Sequence, residues 1–480
     1  MSVDRDALFI GGGWVKPATS KRFTVLNAST EEVLGSVPEA TEADADWAVA
    51  AARDCFENSG WASWSPQDRS TAMHRFADEL DKRAADLSTT VSQENGMPIG
   101  LSEMLEGAFA IGMLRFYADL ARSTPAEESR PSQLGVETLV RRSPLGVVAA
   151  IVPWNYPVVL AMSKIGPALA AGCTVVVKPS PPSTLLDCYI LAEAAEAAEL
   201  PPGVINWVPG GRDIGAYLVS HPGVNKVGFT GSTAAGRSIA TVCAGLLRPV
   251  TLELGGKSAA IVLDDVDMDE IWPNLQFVTF LNNGQTCVMC SRLLAPASRY
   301  DEIVDAVATR VSSFKIGDPL DPSVEIGPLA FEAHRQRVES YIEKGKAEAK
   351  LVAGGRRPKH LDRGWFVEPT VFAYMDNSAT IAREEIFGPV LAIIPYDDEQ
   401  DAVRIANDSV YGLGGSVFSA DVERAKDVAR QVHTGTIGIN GYPVSIGSPF
   451  GGVKDSGMGR EFGPEALSSY LNLKSMYVGG

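Results

Sequence analysis

The sequence predicts an α/β protein built from two doubly wound parallel-sheet domains with a small β arm. Three observations lead there. From residue 147 onward, short apolar runs alternate with helical patterns, the order that builds a parallel sheet covered on both faces. The alternation restarts after Gly255-Gly256, which marks a candidate domain junction. A polar, proline-bearing stretch at 123–143 interrupts the first series and contains the alternating run Val136-Glu137-Thr138-Leu139-Val140. That stretch reads either as an arm leaving the domain or as a surface hairpin.

Bulk properties set the frame. A chain of 480 residues is too long for one simple core, so two or three domains are expected. Lys plus Arg number 42 against 59 Asp plus Glu, and the net charge of −17 opposes binding to nucleic acid or an anionic membrane. It does not oppose a small anionic cofactor held by local backbone donors. The six cysteines (55, 173, 188, 243, 287, 290) are scattered, which suits a reduced, cytoplasmic setting rather than a disulfide framework. Cys287 and Cys290 have C-x-x-C spacing, but no second pair exists and the histidines are remote in sequence, so no metal site is expected. The polar, acidic start Met1-Ser2-Val3-Asp4-Arg5-Asp6 lacks the pattern of a signal peptide. The longest apolar segment, 146–162, is broken by two prolines and Asn155, so no membrane span is expected.

In chain order, residues 8–40 read as short strands and turns. Thr41 then opens a helix with Glu42, Asp44 and Asp46 in its first turn, where acids favour the helix dipole. Helical spacing continues through 85 and again over 101–120. The first α/β series places strands at 147–152, 174–178, 204–208, 226–230 and 250–254. The second places them at 259–263, 391–395 and 436–440, with helices at 300–314, 332–349 and 399–406. Tyr470-Leu471-Asn472-Leu473-Lys474 reads as an edge strand available to another chain. The expected partition is 1–122 with 144–255 as one domain and 256–455 as a second. Residues 123–143 and 456–480 form the arm and tail.

Ligands of doubly wound sheets bind beyond the carboxyl ends of the strands, where Lys178, Thr230 to Thr233 and Glu253 fall. Gly231-Ser232-Thr233-Ala234-Ala235-Gly236 follows a strand and opens a helix. Its backbone N–H groups suit a pyrophosphate, although Thr233 replaces the second glycine of the usual fingerprint and tight packing is the other reading. Asn155 is braced between Pro153 and Pro157, either as an oxyanion donor or as a cap for the next helix. Glu253 ends an apolar strand, as a general base with raised pKa or as a strand-end salt bridge. Cys287 lies in the bend Asn282-Asn283-Gly284-Gln285-Thr286-Cys287, exposed as a nucleophile or packed as a buried thiol.

Together these motifs resemble the aldehyde dehydrogenase superfamily over nearly the full length. The match includes Pro153-Trp154-Asn155-Tyr156-Pro157, Lys178-Pro179-Ser180, Phe229-Thr230-Gly231-Ser232-Thr233, Leu252-Glu253-Leu254-Gly255-Gly256-Lys257 and Gly284-Gln285-Thr286-Cys287. Glu384-Glu385-Ile386-Phe387-Gly388-Pro389 and Pro449-Phe450-Gly451-Gly452-Val453-Lys454 with Ser456-Gly457 complete it. The resemblance implies oxidation of an aldehyde to a carboxylic acid with hydride transfer to NAD(P). Cys287 would form a thiohemiacetal and then a thioester. The Asn155 side chain and the Cys287 N–H would hold the oxyanion, and Glu253 would activate water. It places Lys178 at the adenine ribose, Ser232 at the pyrophosphate and Glu385 at the nicotinamide ribose, with Trp154, Ser180, Gly231 and Phe387 also around the cofactor. NAD is expected. Pro181 stands where many NAD-preferring relatives carry a ribose-binding acid, which leaves NADP open. The implied substrate tunnel takes in Phe109, Tyr156, Leu160, Ser163, Leu281, Val288 and Val444. None is charged, so an apolar aliphatic or aromatic aldehyde is expected. The resemblance further implies a homodimer or homotetramer. A CoA-acylating aldehyde dehydrogenase, a cysteine hydrolase and an inactive binding protein are the competing readings. Cys290 is either a reversible disulfide partner of Cys287 or a packed thiol.

Overall fold

The computed structural model describes residues 3–131, 133 and 137–478. Met1, Ser2 and Val136, which entered the readings of the N-terminus and of the arm, lie outside the described residues.

Five parallel strands form the centre of the first sheet, in the spatial order Val250–Glu253, Lys226–Thr230, Val147–Ile151, Thr174–Lys178 and Ile205–Trp207. Nearly every residue in them is buried, which is why they read as unbroken apolar runs rather than as alternation. Antiparallel strands close both edges. Leu8–Ile10 and Gly13–Val15 lie on one side, and Gly457–Met458 comes back from the C-terminal region on the other. The sequence pattern anticipates the parallel centre but not these edges, which are two or three residues long and carry no period.

The second sheet runs Lys350–Ala353, Thr370–Ala373, Val390–Tyr396, Arg292–Pro296, Ala259–Val262, Gly415–Phe418 and Gly438–Ile439. Every neighbouring pair is parallel except the first. Lys350–Ala353, Thr370–Ala373 and Gly415–Phe418 fall outside the predicted series. Each has four residues, and Gly415 follows Gly412 and Gly414, so composition speaks against a strand until neighbours bury it.

The arm is a three-stranded antiparallel sheet of Glu127–Pro131, Glu137–Pro144 and Leu471–Tyr477. The C-terminal strand, read as an edge open to another chain, pairs along its whole length with Glu137–Pro144 of its own chain and leaves its other edge unpaired among the described residues. Among the described residues no helix is long and apolar enough to cross a membrane.

The helix Glu42–Asn58 starts as its sequence implies. Thr41 Oγ1 accepts the Asp44 N–H and the Asp44 carboxylate accepts the Thr41 N–H at 2.8 Å, a reciprocal capping box. Pro157–Ala171 is buried along its whole length, packed against Ala110–Ser123. Its first N–H groups, Val158 and Val159, are met by the buried Glu106 carboxylate at 2.7 and 3.2 Å. Glu106 sits in a π-type stretch, Glu103–Phe109, that interrupts the helix expected over 101–120. Replacement Thr41→Ala removes the side-chain half of the capping box and is expected to cost about 1 kcal/mol, seen as a lower thermal midpoint with catalytic rates unchanged.

Candidate active site

Cys287 is reached through a strained turn. The helix Met268–Phe280 runs into Leu281–Gly284, where Asn282, Asn283 and Gly284 take φ of 49°, 58° and 79°. Asn tolerates the left-handed region best among residues with a Cβ, and here it is also held by its side chain. Asn282 Nδ2 donates to Asn155 O at 2.9 Å, and Asn283 Nδ2 donates to Gly96 O at 2.7 Å and Pro328 O at 2.9 Å. A Cβ at Gly284 would lie 2.1 Å from the Gly388 carbonyl carbon, and one at Gly256 would lie 2.3 Å from Cys287 O. The turn therefore packs backbone to backbone against both neighbouring loops. Cys287 emerges partly exposed, whereas the other five cysteines are buried.

Its thiol opens on a cleft of about 330 Å³ shared with Trp154, Asn155, Gly231, Ser232, Gly255, Glu385 and Phe387. Seven of the residues singled out in the sequence as catalytic or cofactor-binding, Cys287 among them, thus line one cleft at the carboxyl ends of the first sheet. A larger hollow, about 640 Å³ beside Tyr300 and Tyr374, contains none of them.

Asn155 is not a helix cap. Tyr156 takes the cap position, and Glu106 serves the helix N–H groups. The Asn155 amide donates to Gln285 O at 2.9 Å, which leaves its second N–H free. Tyr156 bonds Thr286 Oγ1 at 2.6 Å, next to Cys287. Glu253 is buried, and neither carboxylate oxygen has a hydrogen-bond partner among the described residues. Burial raises it well above the usual carboxylate range; the Glu461 charge adds to this and Lys164 opposes it. Lys164 Nζ lies 2.7 Å from Glu461 Oε1 and donates to Thr230 Oγ1 at 2.7 Å. Ser163, expected along the tunnel, is buried and gives its hydroxyl to Glu461 Oε2 at 2.7 Å. The Cys287 thiol is pushed up to about 12 by burial, then by the Glu385 and Glu253 charges.

Around the rest of the cleft, Ser232 caps the helix Thr233–Gly245 through the Ala235 N–H. A Cβ at Gly231 would collide with the Phe229 ring at 2.5 Å, so packing demands that glycine. Glu385 Oε1 accepts the Gly256 N–H at 2.9 Å, and a Cβ at Gly255 would stand 2.4 Å from Glu385 Oε2. Lys178 is buried beyond the neighbouring strand end, 3.3 Å from Ser180 Oγ, and burial alone lowers it to about 8, with no facing acid to hold it up.

Besides Ala333, three residues of the cleft have no counterpart in the sequence reading: Phe331, His334 and Arg337. They recur every third residue at the start of Glu332–Glu348, one helix face, which was the available signal. Trp154 meets the rings of Phe331, His334 and Phe387 at 5.1 to 5.5 Å. Burial drives His334 down to about 4, so it is neutral, and its Nε2–H donates to Phe387 O at 2.7 Å, holding Phe387 at φ 66°. Arg337 donates to Glu385 O at 2.7 Å.

The tunnel residues Phe109, Leu281 and Val288 pack with Cys287 against the first core, which also holds Tyr156 and Leu160. Phe450, read in the sequence only as part of the motif at 449–454, and Phe462, absent from that reading, join them. Phe462 lies tilted against Phe450, ring centroids 5.2 Å apart, and meets Phe109 edge-on at 6.0 Å. Phe450 and Glu461 exchange two backbone hydrogen bonds of 2.7 Å, and Phe462 stands at φ 58°. Val444 lies in a separate open hollow of about 390 Å³ beside Tyr442 and Phe450. Cys290 belongs to the core cluster of Leu275, Val278 and Phe280, and its N–H is held by Val278 O, as a packed thiol would be.

This combination of doubly wound fold and thiol-bearing cleft matches the Aldehyde dehydrogenase family over residues 14–476. The chain belongs to that family and is an NAD(P)-dependent enzyme that oxidises an aldehyde to the carboxylic acid. It is 58% identical over its whole length, and the whole of the relative's, to a geranial dehydrogenase of Castellaniella defragrans. It is 40% identical to a chloroplastic aminoaldehyde dehydrogenase of Arabidopsis thaliana, across 98% of this chain and 95% of the relative. Among solved structures it matches a Mycobacterium tuberculosis aldehyde dehydrogenase complexed with NAD+ at TM-score 0.97 and 47% identity, covering 100% of this chain and 99% of the other.

Because the thiol's pKa is near 12, its alkylation by iodoacetamide in the cofactor-free enzyme is expected to rise about tenfold per pH unit between about pH 7 and 10. A plateau in that range would show a thiolate already formed.

Proposed function

We propose that Cys287 is the nucleophile, Asn155 the oxyanion donor and Glu253 the general base, acting on an apolar aldehyde with NAD. One observation carries this reading. The partly exposed Cys287 shares its cleft with Asn155 and the Ser232 helix start, and the unpartnered Glu253 carboxylate is near enough to raise the thiol.

The residues present suit a dinucleotide. The helix Thr233–Gly245 opens at the cleft beside Gly231 and Ser232, an arrangement that favours phosphate oxygens. Lys178 and Ser180 would hold the adenine ribose, Gly231 and Ser232 the pyrophosphate, and Glu385 the nicotinamide ribose, with Trp154 and Phe387 flanking the nicotinamide. When bound, the cofactor supplies the hydride acceptor. Glu253 takes the proton of the Cys287 thiol. The sulfur adds to the aldehyde carbon, and the oxygen that gains charge is met by the free Asn155 amide N–H and the Cys287 N–H. Once that carbon is oxidised a thioester remains on Cys287. Glu253, having passed its first proton to solvent, then removes a proton from water attacking the thioester carbon. The acid departs and the sulfur recovers a proton. His334 is a poor base toward Cys287, since burial lowers its proton affinity and its Nε2–H is committed to Phe387 O.

The tunnel wall of Phe109, Leu281, Val288, Phe450 and Phe462 is hydrocarbon throughout. With the similarity to a geranial dehydrogenase, this supports a branched or long-chain apolar aldehyde. The arm, with one edge of Leu471–Tyr477 open, supports a homodimer or homotetramer. Six free cysteines suit a reducing, cytoplasmic setting. In this reading 1–122 with 144–255 bind the cofactor, 256–455 carry the nucleophile, and 123–143 with 456–480 serve assembly.

In an assay of cofactor reduction, geranial and octanal are expected to exceed betaine aldehyde and succinic semialdehyde by at least about tenfold in kcat/KM. Best turnover of a charged aldehyde would overturn the substrate class. Cys287→Ala should abolish turnover, and Glu253→Gln should slow the first-turnover burst without abolishing it and stall the steady state. Pro181→Glu, which returns a carboxylate beside Lys178, should widen the preference for NAD over NADP by about tenfold or more.

A further inference from the structure

Asn95, Asn155 and Gln285 are almost completely buried, and their carboxamides form a closed cycle. Asn95 Nδ2 donates to Asn155 O at 3.2 Å. Asn155 Nδ2 donates to Gln285 O at 2.9 Å. Gln285 Nε2 donates to Asn95 O at 3.2 Å. Each side chain thus holds the backbone of the next, and the third returns to the first. The amide orientations follow from their partners. Asn95 Oδ1 accepts the Met97 N–H at 3.0 Å and Gln285 Oε1 accepts the Ala330 N–H at 2.9 Å, so the opposite end of each is the NH₂. Gln285 O can only accept, so Asn155 must face it with NH₂.

We propose that Asn95 and Gln285 are positioning residues of the oxyanion site, acting through this ring to hold the second Asn155 amide hydrogen toward the Cys287 cleft. The proposal rests on the reading of Asn155 as oxyanion donor. The ring joins three segments remote in sequence: the end of the helix Ala84–Asn95, the turn after Val147–Ile151, and the approach to Cys287. Asn95 Nδ2 also reaches Trp154 O at 3.2 Å, and Asn282 Nδ2 fills the other side of Asn155 O at 2.9 Å. With its backbone gripped at both ends and one amide hydrogen committed, Asn155 has one orientation left. An oxyanion donor works only if it is already in place when charge develops. A cycle of buried hydrogen bonds in a medium of low polarity supplies that rigidity at little cost in desolvation, because each of its three NH₂ groups has a carbonyl to donate to.

The test is the rate of the first-turnover burst of NADH on the full-length enzyme, with octanal and saturating NAD. Asn155→Ala should slow the burst by about 10² to 10³. Asn95→Asp, which exchanges the donating NH₂ for an acceptor, should slow it by about 10 to 100 with the KM for NAD within about twofold of wild type. In the Asn155→Ala background the same change should add less than about threefold, because its effect passes through Asn155. Gln285→Met, which removes the third donor without adding charge, should behave alike, and Asn95→Ser takes the place of Asn95→Asp if thermal melts show that variant unfolded. A burst at the wild-type rate in the Asn95 and Gln285 variants, with Asn155→Ala impaired, overturns the ring. So do effects that multiply in full in the double variants, or a parallel rise in the KM for NAD, either of which marks general packing damage. A wild-type burst in Asn155→Ala itself sinks the underlying reading instead.

Discussion

Three loops meet around the thiol with no room for a Cβ between them. Gly256 lies against Cys287 O, Gly284 against the Gly388 carbonyl, and Gly255 against the Glu385 carboxylate. The strand end that carries Glu253, the turn that delivers Cys287 and the loop that presents Glu385 and Phe387 are therefore fixed to one another by main chain, which has few alternative positions. A covalent mechanism needs its thiol, base and hydride acceptor placed within fractions of an ångström. Side-chain packing alone would allow rotamer exchange at that junction. Glycine contacts do not, and the left-handed Asn282 and Asn283 are conformations the rest of the turn must sustain.

Behind that junction lies a buried layer of charge. Lys164 crosses Gly228, where a Cβ would sit 3.4 Å from its stem, and ends between Thr230 and Glu461. One cation can neutralise one carboxylate. Glu461 holds it, with Ser163 on its second oxygen, and Glu253 has neither a cation nor a donor. Between the two acids, Glu253 is the one whose charged form is costly, and a carboxylate that is costly to charge is a strong base once charged.

The parallel centre of the first sheet was legible because buried parallel strands are long apolar runs, and the helix at Glu42 was legible because its cap is local. Asn155, Glu253 and the Ser232 turn were legible as types at strand ends and Cys287 as a thiol at a bend, though only a combination of motifs separated each from its bland alternative. What escaped was fixed by contacts across the chain. Gly457–Met458 is a strand only because Leu252 and Glu253 lie beside it. Asn95 looks like an ordinary helix end until Asn155 and Gln285 arrive from 60 and 190 residues away. Ser163 resembles a tunnel residue until Glu461 takes its hydroxyl. Polar side chains whose partners are that distant leave no period in the sequence.

Glu461 belongs to two structures at once. Its backbone is clasped to Phe450 and followed by Phe462, which narrow the apolar wall, while its carboxylate sits with Lys164 beside the base. Substrate breadth and proton handling are thereby inherited as one trait. A lineage that widened the wall at 450 or 462 would disturb the electrostatics of hydrolysis in the same step. Room for bulkier aldehydes would then come more readily from the side chains of Phe109, Leu281 or Val288, which pack on the first core and make no contact in the Lys164–Glu461 pair.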